Sequence, residues 1–191
     1  MSPKDSTAAT RTALLDAARV EFAAKGVAGA RVDTIAERAG VNKERIYGHF
    51  GNKEKLFDAV IVTALDELAE AVAMPGKDAG DYVGRLFDYY RDHPDLVRLL
   101  MWEALHYRGQ ELLPGQEYRV EKCGRKTASL ADGMGRAPSP EVARTLMTLV
   151  GMAIWPTAMP QFGRIFLGED AAGDHEAMRE SLVNLVRSAL D

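Results

Sequence analysis

Apolar side chains recur at intervals of three and four residues along most of the chain, a spacing that is typical of one buried face of an α-helix. The first such segment predicts a helix over residues 10–25, which Gly26 ends; its inner face comprises Leu14, Leu15, Ala18 and Phe22. Residues 1–7 are polar and predict a frayed tail. No segment alternates apolar and polar residues as a half-buried strand would, so the pattern predicts an all-α fold of about nine helices.

Two short helices follow the first one. Residues 32–39 carry one apolar stripe, and Gly40 ends this helix because glycine readily takes the left-handed conformation of a helix end. Asn42 can cap the next helix, residues 43–49, in which Ile46 and Phe50 face back towards the stripe. Two short helices joined by a glycine-containing turn form the outline of a helix-turn-helix, which puts the start of its second helix into the major groove of DNA.

A long fourth helix is predicted to start after Asn52, a second good capping residue. Its apolar residues step by three and four, and they are Phe57, Val60, Ile61, Ala64, Leu65, Leu68 and Val72. Pro75 and Gly76 end it, because proline cannot continue a helix and glycine favours a turn. We expect this helix to link the helix-turn-helix with the rest of the chain.

The remaining segments also have helical patterns. Residues 82–93 carry an apolar stripe, Pro94 suits the first position of a new helix, and residues 96–107 are apolar on nearly every side, as in a buried core helix. Pro156 and Pro160 are predicted to break the stretch in which they lie. The other predicted elements are a loop over residues 108–116, a weaker helix over 117–134, a helix over 142–155 capped by Ser139, and a last helix that reaches Ala189.

Several short runs at fixed spacing resemble the signature of the TetR family of transcriptional regulators. These runs are Thr34-Ile35-Ala36, Ala39-Gly40-Val41-Asn42-Lys43, Ile46-Tyr47, His49-Phe50 and Lys53-Glu54-Lys55-Leu56. The similar segment extends back to Leu14. The resemblance implies an N-terminal three-helix DNA-binding domain over residues 8–68, which includes the start of the fourth helix, and a C-terminal helical effector-binding and dimerisation domain over residues 75–191.

The resemblance also implies which side chains meet DNA, namely Asn42, Lys43, Glu44, Arg45, Tyr47 and His49 of the recognition helix and Lys53 of the next helix. Arg45 is the candidate for a guanine, because a guanidinium can bridge O6 and N7. Tyr47, His49 and Lys53 match positions that usually hold phosphates. Arg31 stands where the family commonly has a Ser or Thr cap, so it can contact a phosphate as a cation, and Thr34 keeps a hydroxyl near the helix start.

Methionine and aromatic residues are frequent in the second part of the chain, and the flexible methionine side chain adapts to apolar pockets of irregular shape. With the resemblance, they predict a small, mainly apolar or aromatic effector. The candidate ligand-binding residues are Tyr89, Trp102, Glu103, His106, Met152 and Trp155, of which Glu103 and His106 would be polar anchors. Each of the six can also be an ordinary core residue.

Members of the family resemble one another in acting as two-fold dimers on paired half-sites. The last two long helices, residues 140–155 and 177–190, are the predicted dimer surface, unless their apolar faces only fill the core of one chain. An effector that prefers one spacing of the two DNA-binding units would weaken DNA binding, and DNA would reciprocally weaken effector binding. The resemblance favours a repressor that binds a palindromic operator as a dimer and is released by its effector, and the alternative is an activator or an interaction module without an effector.

Charge is uneven along the chain. Residues 1–55 hold ten Lys or Arg against seven Asp or Glu, a net charge of +3, whereas residues 56–191 hold fourteen against twenty-one, a net charge of −7. A mildly basic end on an acidic body is what a local DNA-binding surface would produce, although chance can produce it too.

Little in the sequence points to an enzyme, a cofactor or a metal site. His175-Glu176 lacks the second histidine of a zinc-protease motif, and Gly133-Met134-Gly135 lacks the third glycine of a dinucleotide loop. Cys123 is the only cysteine, so no internal disulfide can form, and a reducing cytoplasm is the expected location. Residues 1–12 lack the apolar core of a signal peptide.

Overall fold

The computed structural model describes residues 3–107 and 112–190, with side chains described from Thr7 onward. These residues form ten helices and no strand, which confirms the predicted all-α fold. The helices are α1 Pro3–Gly29, α2 Val32–Arg38, α3 Lys43–Phe50, α4 Lys53–Ala71, α5 Ala79–Asp92, α6 Pro94–His106, α7 Gln116–Gly133, α8 Pro140–Ala158, α9 Pro160–Ala172 and α10 His175–Leu190.

Helix α9 lies where the sequence predicted a break. Pro160 occupies the start of α9, where its missing N–H costs no intrahelical hydrogen bond. Pro156 lies inside α8, but only Thr157 and Ala158 follow it, so the proline disturbs only the last turn of the helix. The stretch does break between the two prolines, where α8 and α9 meet at a bend of 66°, but the helix α9 that follows Pro160 was not predicted.

Two predicted boundaries also differ from the structure. Helix α1 begins at Pro3, so the predicted tail was wrong from that residue onward, because proline suits a helix start and neither Gly nor Pro interrupts the residues after it. Residues 1–2 lie outside the described part of the chain. Of the predicted loop, residues 108–111 also lie outside it, and Gln116 already belongs to α7.

Two further expectations about side chains were wrong. Asn42 occupies the N-cap position of α3, but its side chain accepts no capping hydrogen bond. Leu105 is 69% exposed, so α6 is not buried on nearly every side. By contrast, Asn52 caps α4 by accepting a 2.7 Å hydrogen bond from the backbone N–H of Lys55, and Gly40 has the expected positive φ of 68°.

The chain divides into two compact units. The first comprises Met1–Glu67 and Arg98–Pro114, and the second comprises Leu68–Val97 and Gly115–Asp191. The divisions fall inside α4 and α6, so each of these helices contributes residues to both units. The domain bounds expected from the sequence, residues 8–68 and 75–191, stay a prediction.

An apolar core in the first unit holds α2 and α3 against α1 and α4. Ile35 of α2 and Ile46 of α3 are both fully buried in it. Phe22 of α1 packs edge-to-face against Phe57 of α4, with ring centroids 5.2 Å apart. Because α2 and α3 are only seven and eight residues long, they depend on this packing for their stability.

A buried carboxylate fixes the start of α2. Glu21 of α1 is 3% exposed, accepts a 2.8 Å hydrogen bond from Nζ of Lys25, and accepts one of 3.3 Å from the backbone N–H of Arg31. Arg31 is the N-cap residue of α2 and makes no side-chain cap of its own. Glu21 thus satisfies the N–H of the N-cap residue itself, as the glutamate of a capping box does, whereas a Ser or Thr at position 31 would have accepted from an N–H of the first turn.

Residues of α6 pack against the C-terminal part of α1. The Nε of Arg98 and the indole Nε1 of Trp102 both donate to the carbonyl of Ala23, at 3.0 and 3.4 Å. Gly26 has a φ of 67° and a ψ of −179°, and a Cβ at this position would lie 2.7 Å from the Trp102 ring. Only glycine fits both this conformation and this space.

In the second unit α5 packs against both α8 and α10. Its inward face consists of the buried residues Tyr82, Val83, Leu86, Phe87 and Tyr90, as the sequence predicted. Burial raises the pKa of the Tyr82 hydroxyl to about 12. Two ion pairs join α10 to α5 and its cap, one between Arg179 and Asp88 and one between Arg187 and Asp78, both at 2.7 Å.

Within the described residues no single helix has the length and apolar character to cross a membrane, and only the bent pair of α8 and α9 meets those two criteria together.

We expect Gly26→Ala to destabilise the protein by about 1–3 kcal/mol, because the new Cβ would meet the Trp102 ring in a backbone conformation that suits only glycine. Urea unfolding followed by circular dichroism measures the change. Gly40→Ala is the matched control: it carries a similar positive φ of 68°, but no atom lies within 4 Å of its Cβ position. Equal losses for the two variants would contradict the role given to Trp102.

We expect Glu21→Gln to lower the free energy of unfolding at neutral pH, by an amount that shrinks in acid. The hydrogen bond from Lys25 holds the pKa of the Glu21 carboxyl below its usual 4.5. The stabilisation is therefore present above that pH and is lost as the pH falls through the lower pKa of the folded state.

Urea titrations at a series of pH values measure this effect. Glu37→Gln, at an exposed position of α2, is the control and should change stability little at any pH. A Glu21→Gln difference that stays constant from neutral pH into acid would rule out the pairing described.

Candidate nucleic-acid interface

Helix α3 has one buried and one exposed face. Ile46 and Phe50 are buried in the first unit, at 0% and 8% exposure, and they lie one helical turn apart. The side chains on the other face are exposed, and these are Asn42, Lys43, Glu44, Arg45 and Tyr47. The helix therefore presents a continuous set of hydrogen-bonding groups to solvent, with three charged residues in its first turn.

Two side chains of this face have partners that limit their freedom. Nζ of Lys43 lies 3.5 Å from the Asp33 carboxylate of α2, but both side chains are more than half exposed, so the pair is weak and a phosphate can replace it. His49 is only half-buried, with its ring 6.1 Å from that of Phe50. His49 is thus less accessible than the other residues of the predicted set.

The remaining predicted residues flank α3 on neighbouring elements of the first unit. Arg31 is exposed at the start of α2, and Thr34 is half-buried within its first turn. Lys53 begins α4, and its Nζ donates to the backbone carbonyl of Ala30 at 3.3 Å. This bond holds the Lys53 ammonium beside the start of α2, so it joins the start of α4 to the segment that leads into α2.

Two residues that the sequence did not single out support this surface. Arg11 of α1 is exposed, and its guanidinium carbon lies 5.4 Å from the centre of the Phe50 ring, within the range of a cation–π contact. Glu21 accepts a hydrogen bond from the backbone N–H of Arg31 and so helps to fix the start of α2. A charged residue on the inner stripe of the first helix was the one available signal for Glu21, whereas no motif marked Arg11.

The six predicted ligand-binding residues divide between the two units. Trp102, Glu103 and His106 belong to the first unit, where Glu103 is 6% exposed and Trp102 binds the backbone of α1. Tyr89, Met152 and Trp155 belong to the second. Tyr89 stacks on His93 with ring centroids 4.2 Å apart, and Trp155 stacks on Phe162 at 5.7 Å. Their role in ligand binding stays a prediction.

The second unit also contains a mainly apolar cavity of about 430 Å³ between α5, α8, α9 and α10. Tyr89, Met152 and Trp155 do not line it. Across the described ranges, no three His, Cys, Asp or Glu side chains lie together as a metal site would require. Cys123 is exposed and has a free thiol.

Two family models match the chain in succession. The model for bacterial regulatory proteins of the tetR family matches residues 14–60, the segment that contains α2, α3 and most of α1. A second model, described as a tetracyclin repressor-like C-terminal domain, matches residues 78–188.

Individual proteins give the same result. The HTH-type transcriptional repressor SCO4008 of Streptomyces coelicolor is 39% identical over 189 residues, which cover 96% of each chain. The HTH-type transcriptional repressor NicS of Pseudomonas putida is 38% identical over 51% of this chain and 49% of its own. A crystal structure of SCO4942 from S. coelicolor is 31% identical and superposes with a TM-score of 0.75 over 94% of this chain and 97% of that one.

The helix-turn-helix with its exposed polar face, the family models that match most of the chain, and a relative similar along its whole length lead to one conclusion. The chain belongs to the TetR family of DNA-binding transcriptional regulators.

Proposed function

We propose that this protein is a repressor that binds a palindromic operator as a dimer and leaves it when a small, mainly apolar effector binds. The proposal rests on the exposed polar side chains of α3. They face solvent because Ile46 and Phe50 of the same helix are buried in the core. Two similar proteins, SCO4008 and NicS, are named transcriptional repressors, and this supports repression rather than activation.

DNA recognition would divide between two kinds of residue. Arg45 is exposed and has the geometry of a guanidinium that can bridge the two acceptors of a guanine, so we assign it to base recognition. Tyr47, His49, Lys53 and Arg31 lie on either side of α3 and would hold phosphates, which fix position without reading sequence. Asn42, Lys43 and Glu44 can contact either bases or phosphates, and Thr34 can offer its hydroxyl to a phosphate.

Dimerisation would use the outer faces of α8 and α10. The inner face of α8 is buried through Val142, Leu146, Leu149 and Ala153. Met147 of α8 is 71% exposed and Leu185 of α10 is 58% exposed, so these two large apolar side chains do not fill the core of their own chain. A second copy that packs on both helices would remove them from water and form a four-helix interface.

The effector would act through the spacing of the two recognition helices in the dimer. An effector that prefers the spacing unsuited to DNA shifts the population of dimers towards that spacing and so lowers the affinity for DNA. By linkage, DNA lowers the affinity for the effector by the same factor. Helix α4 contributes residues to both units and is our candidate for the mechanical link.

We expect Arg45→Ala to reduce the preference for operator over scrambled DNA by about 1–3 kcal/mol, because one base contact is lost. Tyr47→Ala should weaken binding to both DNAs alike, because a phosphate contact carries no sequence information. Fluorescence anisotropy with promoter fragments from the neighbouring gene, at several salt concentrations, measures both effects.

The control for this experiment is Arg125→Ala, which removes an exposed arginine of α7 that pairs with Glu121 at 3.2 Å. It should leave operator binding unchanged. If the wild-type chain shows no sequence preference at any salt concentration, the helix-turn-helix does not read DNA and the protein is an interaction module. Activation of a reporter by the wild-type chain would instead overturn the assignment as repressor.

We expect Met147→Asp together with Leu185→Asp to convert the dimer into single chains at micromolar concentration, because the charges would have to be buried unpaired. Sedimentation equilibrium measures the mass. Val120→Asp is the matched control, since Val120 is 63% exposed on α7, outside the proposed interface. A wild-type mass equal to one chain, or a dimer that survives both substitutions, would exclude this interface.

A further inference from the structure

The cavity of the second unit has the size and lining of a small-molecule site. Its volume of about 430 Å³ lies in the lower part of the range of about 300–1,000 Å³ that is usual for ligand pockets. The buried ring of Phe87 from α5 contributes to the lining. The other large apolar side chains around it come from α8, α9 and α10 and include Pro156, Phe162, Phe166, Leu167 and Met178.

Helix α9 lines this cavity without burying any of its own residues. Phe166 lines the cavity although it is 79% exposed, and Phe162 stacks on it with ring centroids 6.1 Å apart. An apolar helix that buries nothing gains little from its packing. A ligand in the cavity would take the inner edges of both rings out of water, so it would add apolar contacts that α9 otherwise lacks.

Charge at the cavity is compensated within the protein. Arg91 lines the cavity, but its Nη1 lies 3.2 Å from the Asp88 carboxylate and its Nε lies 2.9 Å from that of Asp92. The hydrogen bonds to Asp92 raise the pKa of Arg91 further, so the group stays charged and paired. Asp88 also pairs with Arg179. A charged ligand would find no unpaired partner here and would lose its hydration, which favours a neutral one.

Thr157 of α8 and His175 of α10 are the remaining polar side chains of the lining. His175 begins α10, and its ring forms no hydrogen bond or ion pair with the residues that the structure describes. An imidazole can both donate and accept a hydrogen bond. One such group beside an apolar wall that includes three phenylalanine rings suits a ligand with few polar atoms on an apolar body.

We propose that this cavity binds a neutral, mainly aromatic small molecule, which packs against Phe162, Phe166 and Met178 and forms one hydrogen bond with His175. This inference rests on the proposed function in one respect: such a molecule would be the effector. Binding itself requires no DNA and can be tested on its own.

The test uses the full chain and the neutral fluorophore N-phenyl-1-naphthylamine, which has two aromatic parts and one N–H. We expect saturable fluorescence enhancement with one site per chain. Gly163→Leu adds a side chain on α9 at the wall of the cavity, and its Cβ has room, since the nearest atom to the Cβ position is 3.9 Å away. This variant should weaken binding at least about tenfold.

Gly124→Leu is the matched control, because no atom lies within 4 Å of its Cβ position on α7 and it does not line the cavity. It should bind the fluorophore like the wild type. No saturable binding, or equal binding by Gly163→Leu, would overturn the proposal; the latter result would place the fluorophore on the exposed aromatic side chains of α9 instead.

His175→Phe tests the hydrogen bond. The variant should bind N-phenyl-1-naphthylamine several-fold more weakly than the wild type. Its affinity for 1-benzylnaphthalene, which has a similar shape but no N–H, should stay unchanged. Displacement of the fluorophore measures this second affinity. Equal loss for both compounds would remove His175 from recognition and overturn that part of the proposal.

Two further readouts separate this proposal from its rivals. If Gly163→Leu abolishes the dimer in sedimentation and the fluorophore binds neither chain, the cavity is filled by a second copy and the proposal is wrong. If the fluorophore binds as expected but leaves operator affinity unchanged, the cavity assignment stands, and the proposal that its ligand regulates DNA binding fails instead.

Discussion

The burial of Ile46 and Phe50 in the core of the first unit determines what α3 can do. An eight-residue helix is not stable alone, so its position depends on tertiary contacts, to which each of these side chains contributes about 1.5–3 kcal/mol. They lie one turn apart, and Arg45 and Tyr47 flank Ile46 on either side, about 100° around the helix from it, where both are exposed. The same contacts that stabilise the helix therefore orient its polar residues towards solvent.

The surroundings of that core show how a short motif is made rigid. Glu21 binds the backbone at the start of α2, and Trp102 packs over Gly26 where α1 changes direction. Neither residue belongs to the exposed surface that would meet DNA. Their effect is to fix the ends of α1 and α2, and through the shared apolar core this limits the movement of α3.

The second unit divides its apolar residues between two purposes. Those of α5 and the inner faces of α8 and α10 form its core. Its large exposed residues include two groups, Met147 and Leu185 on the long helices, and Phe162 and Phe166 on α9. The first group suits a flat helical partner, whereas the second lines a concave space. This difference in shape is why we assign a second chain to one and a small molecule to the other.

The sequence by itself determined the helical fold, the two short helices with Gly40 between them, and the outward face of α3, because these follow from spacing and local backbone preference. It did not determine that Pro160 starts a helix, that Asn42 makes no cap, or that Glu21 binds the backbone N–H of Arg31. The lining of the cavity also escaped prediction: Phe166 and His175 are distant in sequence from Phe87, and the packing of α5, α8, α9 and α10 brings them around one space. Local preferences fix elements, but which side chains meet across elements depends on how those elements pack.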